Sequence, residues 1–316
     1  VVSDGRFSAM LSTQIAGIRH VSIVNGSSTA YRAVPYVPFI KQKAFDEFPP
    51  KGLVPRLLNP VNLKIEMLMF DNIMGIFKSL SKEYGLHQKV TATNCLCGTD
   101  LTLIADIPEF FPTRKLPTDY HYIGPITWKA HLSESLPPWW PPEKQNKTLI
   151  YLTMGTTGES GLFQNIYNAL KTLDDVIIVI TTGSQSDEIL SVPGKVYVTD
   201  FMDGDAIMEL CDMVICHGGN GTIYQALGHG VPIIGIPTIP DQDFNMRRVQ
   251  ALGVGTKMSM KSALETPEKL IGIVKTMKDN NTKWSSPLKR IRTRLSGMDG
   301  AKLGAKRIKD LMHQAL

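Results

Sequence analysis

The chain has 316 residues, a formal net charge of +5 and a hydrophobic share of 43%, values that suit a folded protein of two domains and exclude a disordered chain. The longest wholly aliphatic run, residues 176–180, is far shorter than the roughly 20 residues that span a bilayer, so we expect no transmembrane helix. The 4 cysteines match neither a disulfide framework nor a zinc site, and we expect no signal peptide and a reducing, cytoplasmic setting.

The first part of the chain is predicted to alternate strands and helices. Short apolar stretches predict strands over 1–2, 20–24, 101–105 and 120–125, and apolar periodicity predicts helices over 8–16 and 63–84. Residues 31–60 are rich in proline and aromatic side chains and are predicted to be mostly loop. Since the sequence opens on Val1 inside a predicted strand, we expect that the amino-terminal part of this domain precedes it.

The second part follows the segment 137–147, whose Pro-Pro-Trp-Trp-Pro-Pro start and charged end are typical of a linker. Strands are then predicted over 148–152, 176–181, 196–198, 213–216 and 232–236, with helices over 162–172, 206–211 and 222–227. This order predicts a parallel, doubly wound α/β sheet, in which ligands bind beyond the carboxyl ends of the strands. Two glycine-rich turns, at 154–158 and 217–222, fall at such ends.

The carboxyl-terminal segment 286–316 is strongly basic, with eight Lys or Arg against two Asp and a local net charge of +6. Such a segment could contact anionic lipid or nucleic acid. Leu288 and Ile291, then Ile308 and Leu311, keep a helical spacing, and no aromatic residues are interleaved for base stacking. We therefore favour a packed amphipathic helix with a solvated basic face. A weak peripheral membrane contact is compatible with such a helix, and we expect no nucleic-acid binding.

The segment His217-Gly218-Gly219-Asn220-Gly221-Thr222 carries the strongest chemical signal. It stands between an apolar strand and a helix, where glycines let the backbone approach a ligand and the helix N-terminus favours an anion such as phosphate. His217 and the Thr222 hydroxyl can both donate to phosphate oxygens, and Thr222 could also cap the helix. The alternative is a tight strand-to-helix turn that uses glycine for its geometry alone.

Asp241 and Gln242 follow the last predicted strand. A carboxylate beside a carboxamide suits the hydroxyl groups of a sugar, although Asp241 or Asp243 could instead cap the helix that carries Asn245. Residues 241–243 also read Asp-Gln-Asp, the spacing of a manganese motif. We expect no metal here, because the phosphate turn upstream already supplies the positive field that a metal would provide.

The order of these motifs is specific: a Gly-Thr turn, then Cys-His-Gly-Gly-Asn-Gly-Thr-Ile-Tyr-Gln-Ala-Leu, Gly-Val-Pro, Asp-Gln and Ala-Leu-Gly-Val-Gly. Over residues 148–256 the sequence resembles the donor-binding domain of the UDP-glycosyltransferase superfamily, including the bacterial macrolide and natural-product glycosyltransferases. The resemblance implies the glycosyltransferase-B fold, an α/β fold of two Rossmann-like domains. The implied parts are an acceptor-binding domain over 1–136, the linker 137–147, a donor-binding domain over 148–285 and a basic helix over 286–316 that packs back toward the first domain.

The resemblance also implies which residues bind the donor. Its diphosphate would lie at the two glycine turns, on Gly155, Thr156, His217, Gly218, Gly219, Gly221 and Thr222. The transferred sugar would lie on Asp241 and Gln242, and the ribose and nucleobase on Gln225, Phe201 and Met202. The family often has Glu at position 225, where this chain has an uncharged carboxamide, so we expect weaker ribose binding or an altered base preference.

For catalysis the resemblance implies direct displacement at the anomeric carbon with inversion, using a histidine general base that an aspartate orients. Asp4, at the end of the first predicted strand, matches that aspartate, and no histidine of this chain matches the base. His20 stands at a predicted helix-to-strand junction and is interpreted as structural. We therefore expect a site that lacks its base within these 316 residues.

The resemblance thus implies a glycosyltransferase without a cofactor or metal, which moves a hexose from a UDP- or dTDP-sugar to a hydroxyl of an apolar small molecule. Leu68, Met69, Phe70 and Met74 suit an apolar acceptor pocket, and core packing explains them equally well. The alternatives are a non-catalytic protein that binds nucleotide sugars and a glycosyltransferase that acts on a lipid-linked acceptor.

Overall fold

The computed structural model describes residues 1–40, 43–86, 88–127, 136–155, 160–184 and 189–313. The chain divides into two compact units, one formed by Val1–Ile126 with Gly297–Leu316 and the other by Thr127–Ser296. Each unit has its own parallel β-sheet. Within the described ranges, no helix is both long and apolar enough to cross a bilayer.

The described residues form the following elements in chain order. The strands are β1 (Val2–Asp4), β2 (Val21–Val24), β3 (Leu101–Ile104), β4 (Tyr120–Tyr122), β5 (Thr148–Thr153), β6 (Val176–Thr181), β7 (Val196–Thr199), β8 (Met213–Cys216), β9 (Ile233–Gly235) and β10 (Gly255–Lys257). The helices are α1 (Ala9–Ile15), α2 (Leu53–Asn72), α3 (Gly75–Glu83), α4 (Ser160–Leu170), α5 (Gly204–Leu210), α6 (Asn220–His229), α7 (Pro240–Leu252), α8 (Met260–Glu265), α9 (Glu268–Asp279), α10 (Asn281–Leu295) and α11 (Gly300–His313).

The sheet of the first unit has the order β1-β2-β3-β4, with every neighbouring pair parallel. Ile308 and Leu311 of α11 pack against a buried apolar cluster of this sheet that includes Leu103 and Ile123. The lysines of α11 are exposed. This helix therefore buries its apolar stripe and keeps its positive charge in solvent.

The single helix predicted over 63–84 is two helices, and the first of them begins at Leu53, inside the segment predicted as loop. Pro55 lies in the first turn of α2, where a backbone N–H has no helical partner, so proline is tolerated there. Pro60 removes one hydrogen bond from a helix of 20 residues. The chain leaves the helix after Asn72 and starts α3 at Gly75, a poor helix former.

The sheet of the second unit has the order β10-β9-β8-β5-β6-β7, again all parallel. Counted within the unit, this is the 3-2-1-4-5-6 order of a Rossmann fold, and the chain order reverses between β5 and β8. Ending the strand series at 232–236 was wrong, because β10 pairs with β9. The Gly-Thr-Lys sequence of β10 lacks an apolar run, and its Gly255 leaves space for the carbonyl oxygen of Ile233, 2.2 Å from where a Cβ would stand.

The unit boundaries differ from the expected domain limits. The first division falls between Ile126 and Thr127, ahead of the predicted linker 137–147, where Trp139 packs on Tyr197 of the same unit with ring centroids 5.0 Å apart. The basic segment 286–316, expected as one helix, contains the end of α10 and all of α11. Gly297, with φ +76°, ends the first of these helices, because the left-handed conformation interrupts a helix.

Candidate nucleotide-sugar site

Two glycine turns meet where the strand order of the second sheet reverses. β5 and β8 are paired side by side, with Thr153 in register with Cys216. Gly155 follows the first strand and His217 the second, and a Cβ on Gly155 would stand 2.7 Å from Cε1 of His217. The imidazole therefore lies directly over a glycine with φ +65°. Thr156, which the resemblance assigns to the same turn, lies outside the described residues.

His217 is half-buried, and among the described residues its Nδ1 has no hydrogen-bond partner. Burial lowers the pKa of His217, because the surroundings favour the neutral ring over the charged one. A neutral imidazole still carries one N–H that can donate to an anionic oxygen. The side chain is thus placed to bind a phosphate without bringing a permanent charge into the site.

The turn between β8 and α6 requires glycine for two different reasons. Gly218 has φ +90°, a conformation that side chains disfavour. Gly219 is the N-cap of α6, and a Cβ there would stand 2.5 Å from Nε2 of His217. The expected capping by Thr222 was wrong, because the helix starts at Asn220 and makes no side-chain cap hydrogen bond. Gly221 is exposed with open space around its Cβ position, so the fold itself does not require glycine there.

Asp241 and Gln242 lie in the first turn of α7, whose N-cap is Ile239, so neither Asp241 nor Asp243 caps the helix. Gln242 is buried, and its Oε1 accepts hydrogen bonds from the backbone N–H of Thr238 at 2.9 Å and from its hydroxyl at 3.0 Å. Its Nε2 is the part that a sugar hydroxyl could use. Asp241 is half-buried at the start of the helix, where the macrodipole favours a carboxylate.

Asp243 does not act together with Asp241. Its carboxylate pairs with Lys257 at 2.7 Å and with Arg247 at 3.4 Å. Across the described ranges, no group of three or more His, Cys, Asp or Glu side chains is arranged to hold a metal ion. The two carboxylates of the Asp-Gln-Asp sequence therefore have different surroundings. Asp241 lies near the glycine turn, and Asp243 links α7 to β10 through Lys257.

The residues expected at the nucleobase and ribose lie close together around the start of α5. Phe201 and Met202 precede this helix; Phe201 is 59% exposed, and Met202 is 9% exposed. The amide of Gln225, reaching from α6, lies against the first residue of α5, because a Cβ on Gly204 would stand 2.9 Å from its Oε1. The exposed ring of Phe201 can form a wall for a base, whereas Met202 mainly fills the core.

In the first unit, Asp4 lies at the carboxyl end of β1 with an exposed side chain. His20 lies just before the amino end of β2, fully buried, with Nε2 2.7 Å from Oγ of Ser3. Burial lowers the pKa of His20, and its backbone N–H donates to Asp100. These contacts fit the interpretation of His20 as structural, and they separate it from Asp4.

The four apolar residues expected in an acceptor pocket divide between core and surface. Met74 is buried in a cluster with Met10 and Cys95, and Phe70 packs on that cluster, whereas Leu68 and Met69 are exposed. The sequence did not predict which residues of α2 are exposed and which are buried. The exposed side of this helix, here called the outer face, carries Leu53, Leu57, Val61 and Leu68, with Lys64 among them. Its buried side, the inner face, carries the polar residues Asn59, Asn62 and Glu66 beside Pro55 and Leu63.

Sequence comparison matches residues 164–293 to the family described as Erythromycin biosynthesis protein CIII-like, C-terminal domain. A "PGL/p-HBAD biosynthesis glycosyltransferase" of Mycobacterium tuberculosis is 33% identical over 259 residues, which are 81% of this chain and 58% of that protein. A "PGL/p-HBAD biosynthesis rhamnosyltransferase" of Mycobacterium bovis is 32% identical over 257 residues, 81% of this chain and 55% of that protein. An "Inactive PGL/p-HBAD biosynthesis glycosyltransferase" of Mycobacterium bovis is 32% identical over 174 residues, 54% of this chain and 44% of that protein. The chain thus spans little more than half the length of the first two relatives and less than half the length of the third.

Solved structures match the fold over nearly the whole chain. CalG4, the calicheamicin glycosyltransferase, superposes with a TM-score of 0.69 at 15% identity, covering 100% of this chain and 75% of that one. The spinosyn rhamnosyltransferase SpnG, complexed with thymidine diphosphate, superposes with a TM-score of 0.64 at 16% identity, covering 96% and 71%. Both have the glycosyltransferase-B fold that the sequence predicted. Residues 164–293 are thus similar to an EryCIII-like C-terminal domain, and the chain has the fold of the macrolide and natural-product glycosyltransferases.

Proposed function

We propose that the protein is a metal-independent, inverting glycosyltransferase that moves a hexose from a UDP- or dTDP-sugar to a hydroxyl of an apolar small molecule. The observation that carries the proposal is the meeting of the Gly155 and His217 turns at the reversal point of the second sheet. Relatives named as glycosyltransferases support the reaction class, and thymidine diphosphate bound to SpnG supports a nucleoside diphosphate as leaving group.

In the proposed reaction the acceptor hydroxyl oxygen forms a bond to the anomeric carbon. The bond between that carbon and the phosphate oxygen breaks, and the nucleoside diphosphate leaves with the electron pair. Backbone N–H groups at the start of α6 and the N–H of His217 stabilise the charge that develops on the diphosphate. Asp241 and Nε2 of Gln242 would hold the sugar hydroxyls.

The proton of the acceptor hydroxyl needs a base, and Asp4 would orient the histidine that the resemblance implies for this purpose. Asp4 suits such a role because it is exposed at the carboxyl edge of its sheet, where ligands bind in parallel α/β folds. We propose the outer face of α2 as part of the acceptor-binding surface, since an exposed apolar helix face offers contacts to an apolar molecule. The 4 cysteines are unpaired thiols, in keeping with a reducing, cytoplasmic setting.

Two other functions have a specific observation in their favour. The relative named inactive favours a non-catalytic nucleotide-sugar-binding protein. The exposed lysines of α11 favour weak contact with anionic lipid and thus a lipid-linked acceptor. Both alternatives would use the same donor site and differ from the main proposal in the acceptor step.

The donor proposal is tested by calorimetric titration of the chain with UDP and with dTDP, each in the presence and absence of EDTA. We expect one diphosphate to bind, with equal affinity in EDTA, and His217→Ala to weaken that binding about tenfold, the effect of about 1.4 kcal/mol for one hydrogen bond to a charged group. Binding that disappears in EDTA would contradict metal independence. Binding to neither diphosphate would contradict the proposed donor.

A further inference from the structure

Asn245 joins the phosphate turn to the sugar-binding carboxylate. The residue lies in the second turn of α7 and is 1% exposed. Its Nδ2 donates to the carbonyl oxygen of Gly218 at 3.0 Å and to Oδ2 of Asp241 at 3.4 Å. Its Oδ1 has no hydrogen-bond partner within the described ranges. The Nδ2 group of one buried amide therefore contacts both the phosphate turn and the carboxylate proposed to bind the sugar.

The contact with Gly218 fixes the direction of a peptide group at the phosphate turn. In a planar trans peptide, the carbonyl of Gly218 and the N–H of Gly219 point in opposite directions. Because Asn245 holds that carbonyl toward α7, the N–H of Gly219 points away from α7. Gly218 has φ +90°, so the peptide on either side of it has few conformational restraints of its own. The hydrogen bond from Asn245 supplies the missing restraint.

The surrounding packing leaves little room for another arrangement. A Cβ on Gly218 would stand 2.8 Å from Cγ of Met246 and 3.1 Å from the carbonyl oxygen of Gln242. The first turns of α7 are thus pressed against the phosphate turn. A movement of Gly218 would displace Asn245, and a movement of Asn245 would break its hydrogen bond to Asp241.

We infer that Asn245 is a positioning residue of the donor site, which orients the Gly219 N–H toward the diphosphate and the Asp241 carboxylate toward the sugar at the same time. The inference rests on the proposed function, since it concerns how that donor is held. It goes beyond it by assigning to one side chain the coupling between two subsites. Removing the amide should therefore weaken the binding of the diphosphate, which Asp241 itself does not contact.

The test compares Asn245→Ala with a matched control, Asn59→Ala. Asn59 is also buried, donates through Nδ2 to the carbonyl oxygen of Ala33 at 3.0 Å, and has an Oδ1 without a partner among the described residues. Calorimetry with the diphosphate that the wild type binds should show an affinity loss of about tenfold for Asn245→Ala and none for Asn59→Ala. Asp241→Ala should lose mainly the extra affinity that the sugar-bearing nucleotide has over the diphosphate.

A second variant, Asn245→Asp, separates hydrogen bonding from packing. It keeps the size of the side chain, but its carboxylate faces two acceptors, the Gly218 carbonyl and the Asp241 carboxylate. At pH 8 it should bind the diphosphate as weakly as Asn245→Ala or more weakly. As the pH falls to 5.5 the variant carboxyl gains a proton, which the neighbouring Asp241 favours, and its O–H can donate again. Its affinity relative to that of the wild type at the same pH should then rise several-fold.

Three results would overturn the inference. The first is wild-type affinity in both Asn245 variants, the second an equal loss in Asn59→Ala, and the third an Asn245→Asp affinity that keeps the same ratio to the wild type from pH 8 to 5.5. Any of these, with a wild type that binds the diphosphate, leaves the proposed function standing and removes only the role of Asn245. A wild type that binds neither UDP nor dTDP removes both.

Discussion

The start of α6 and the helix α2, the regions proposed to bind the donor and the acceptor, owe their proposed chemistry to different parts of the chain. At α6 the chemistry lies in the backbone: Gly218 and Gly219 are there because of a φ angle and a close approach, and His217 fits over them. In α2 it lies in the side chains, because several leucines and valines are exposed while Asn59, Asn62 and Glu66 are buried. A backbone requirement can be recognised from a short sequence motif, whereas the exposure of apolar helix residues can be recognised only from the packing. The first region therefore supports a proposal about the class of its ligand, and the second supports only the proposal of an apolar contact surface.

The largest expected effect tests whether polar residues hold α2 in place. Glu66 is buried with Arg32, and its Oε2 lies 2.9 Å from the guanidinium, while its Oε1 accepts from the backbone N–H of Val37. Glu66→Ala leaves a buried cation without its partner, which should lower the free energy of unfolding by about 3–5 kcal/mol in urea denaturation. Leu57→Ala on the outer face, where the side chain is 64% exposed, should change it by less than about 0.5 kcal/mol. Equal losses in the two variants would mean that the outer face is packed in solution.

The next effect tests the backbone requirement at α6. Gly219→Ala places a Cβ 2.5 Å from Nε2 of His217, so the imidazole must move away from the phosphate position. Diphosphate affinity should fall at least tenfold, or by about 1.4 kcal/mol. Gly228→Ala, in the same helix with open space around the Cβ position, should leave affinity unchanged and stabilise the helix by about 0.5–1 kcal/mol. Unaltered binding in Gly219→Ala would show that the imidazole position is not essential.

The same contrast explains how much could be predicted from the sequence. The strands β6 and β8 were predicted with the bounds that the structure gives them, because each is an uninterrupted apolar run between turn residues. β10 was missed because three residues, one of them glycine, carry no periodicity. Asn245 was passed over for a different reason: a buried asparagine shows its two partners only when a helix and a turn are in place.

A smaller effect is expected from pH, through His217. Burial lowers the pKa of His217 in the folded protein, so below about pH 6.5 the unfolded chain takes up a proton that the folded chain resists. The free energy of unfolding should therefore decline as the pH falls from 7.5 to 5.5, and His217→Gln should decline less steeply. Burial lowers the pKa of His20 and His121 in the same direction, so some slope will remain. If the free energy of unfolding depends on pH equally in His217→Gln and the wild type, groups other than His217 cause that dependence.

The smallest effect concerns Gln225, a side chain that lies against the backbone of a glycine. Its amide lies against Gly204 at the start of α5, a helix N-terminus at which a carboxylate is favoured. Gln225→Glu supplies a charged acceptor for ribose hydroxyls and should raise diphosphate affinity two- to fivefold, by about 0.4–1 kcal/mol. Asp203 and Asp205 lie at the same helix start, and their repulsion keeps the expected gain small. The gain should vanish with a 2′,3′-dideoxy nucleotide, which lacks the hydroxyls. A gain that persists with that nucleotide would mean that residue 225 acts on the helix rather than on the ribose.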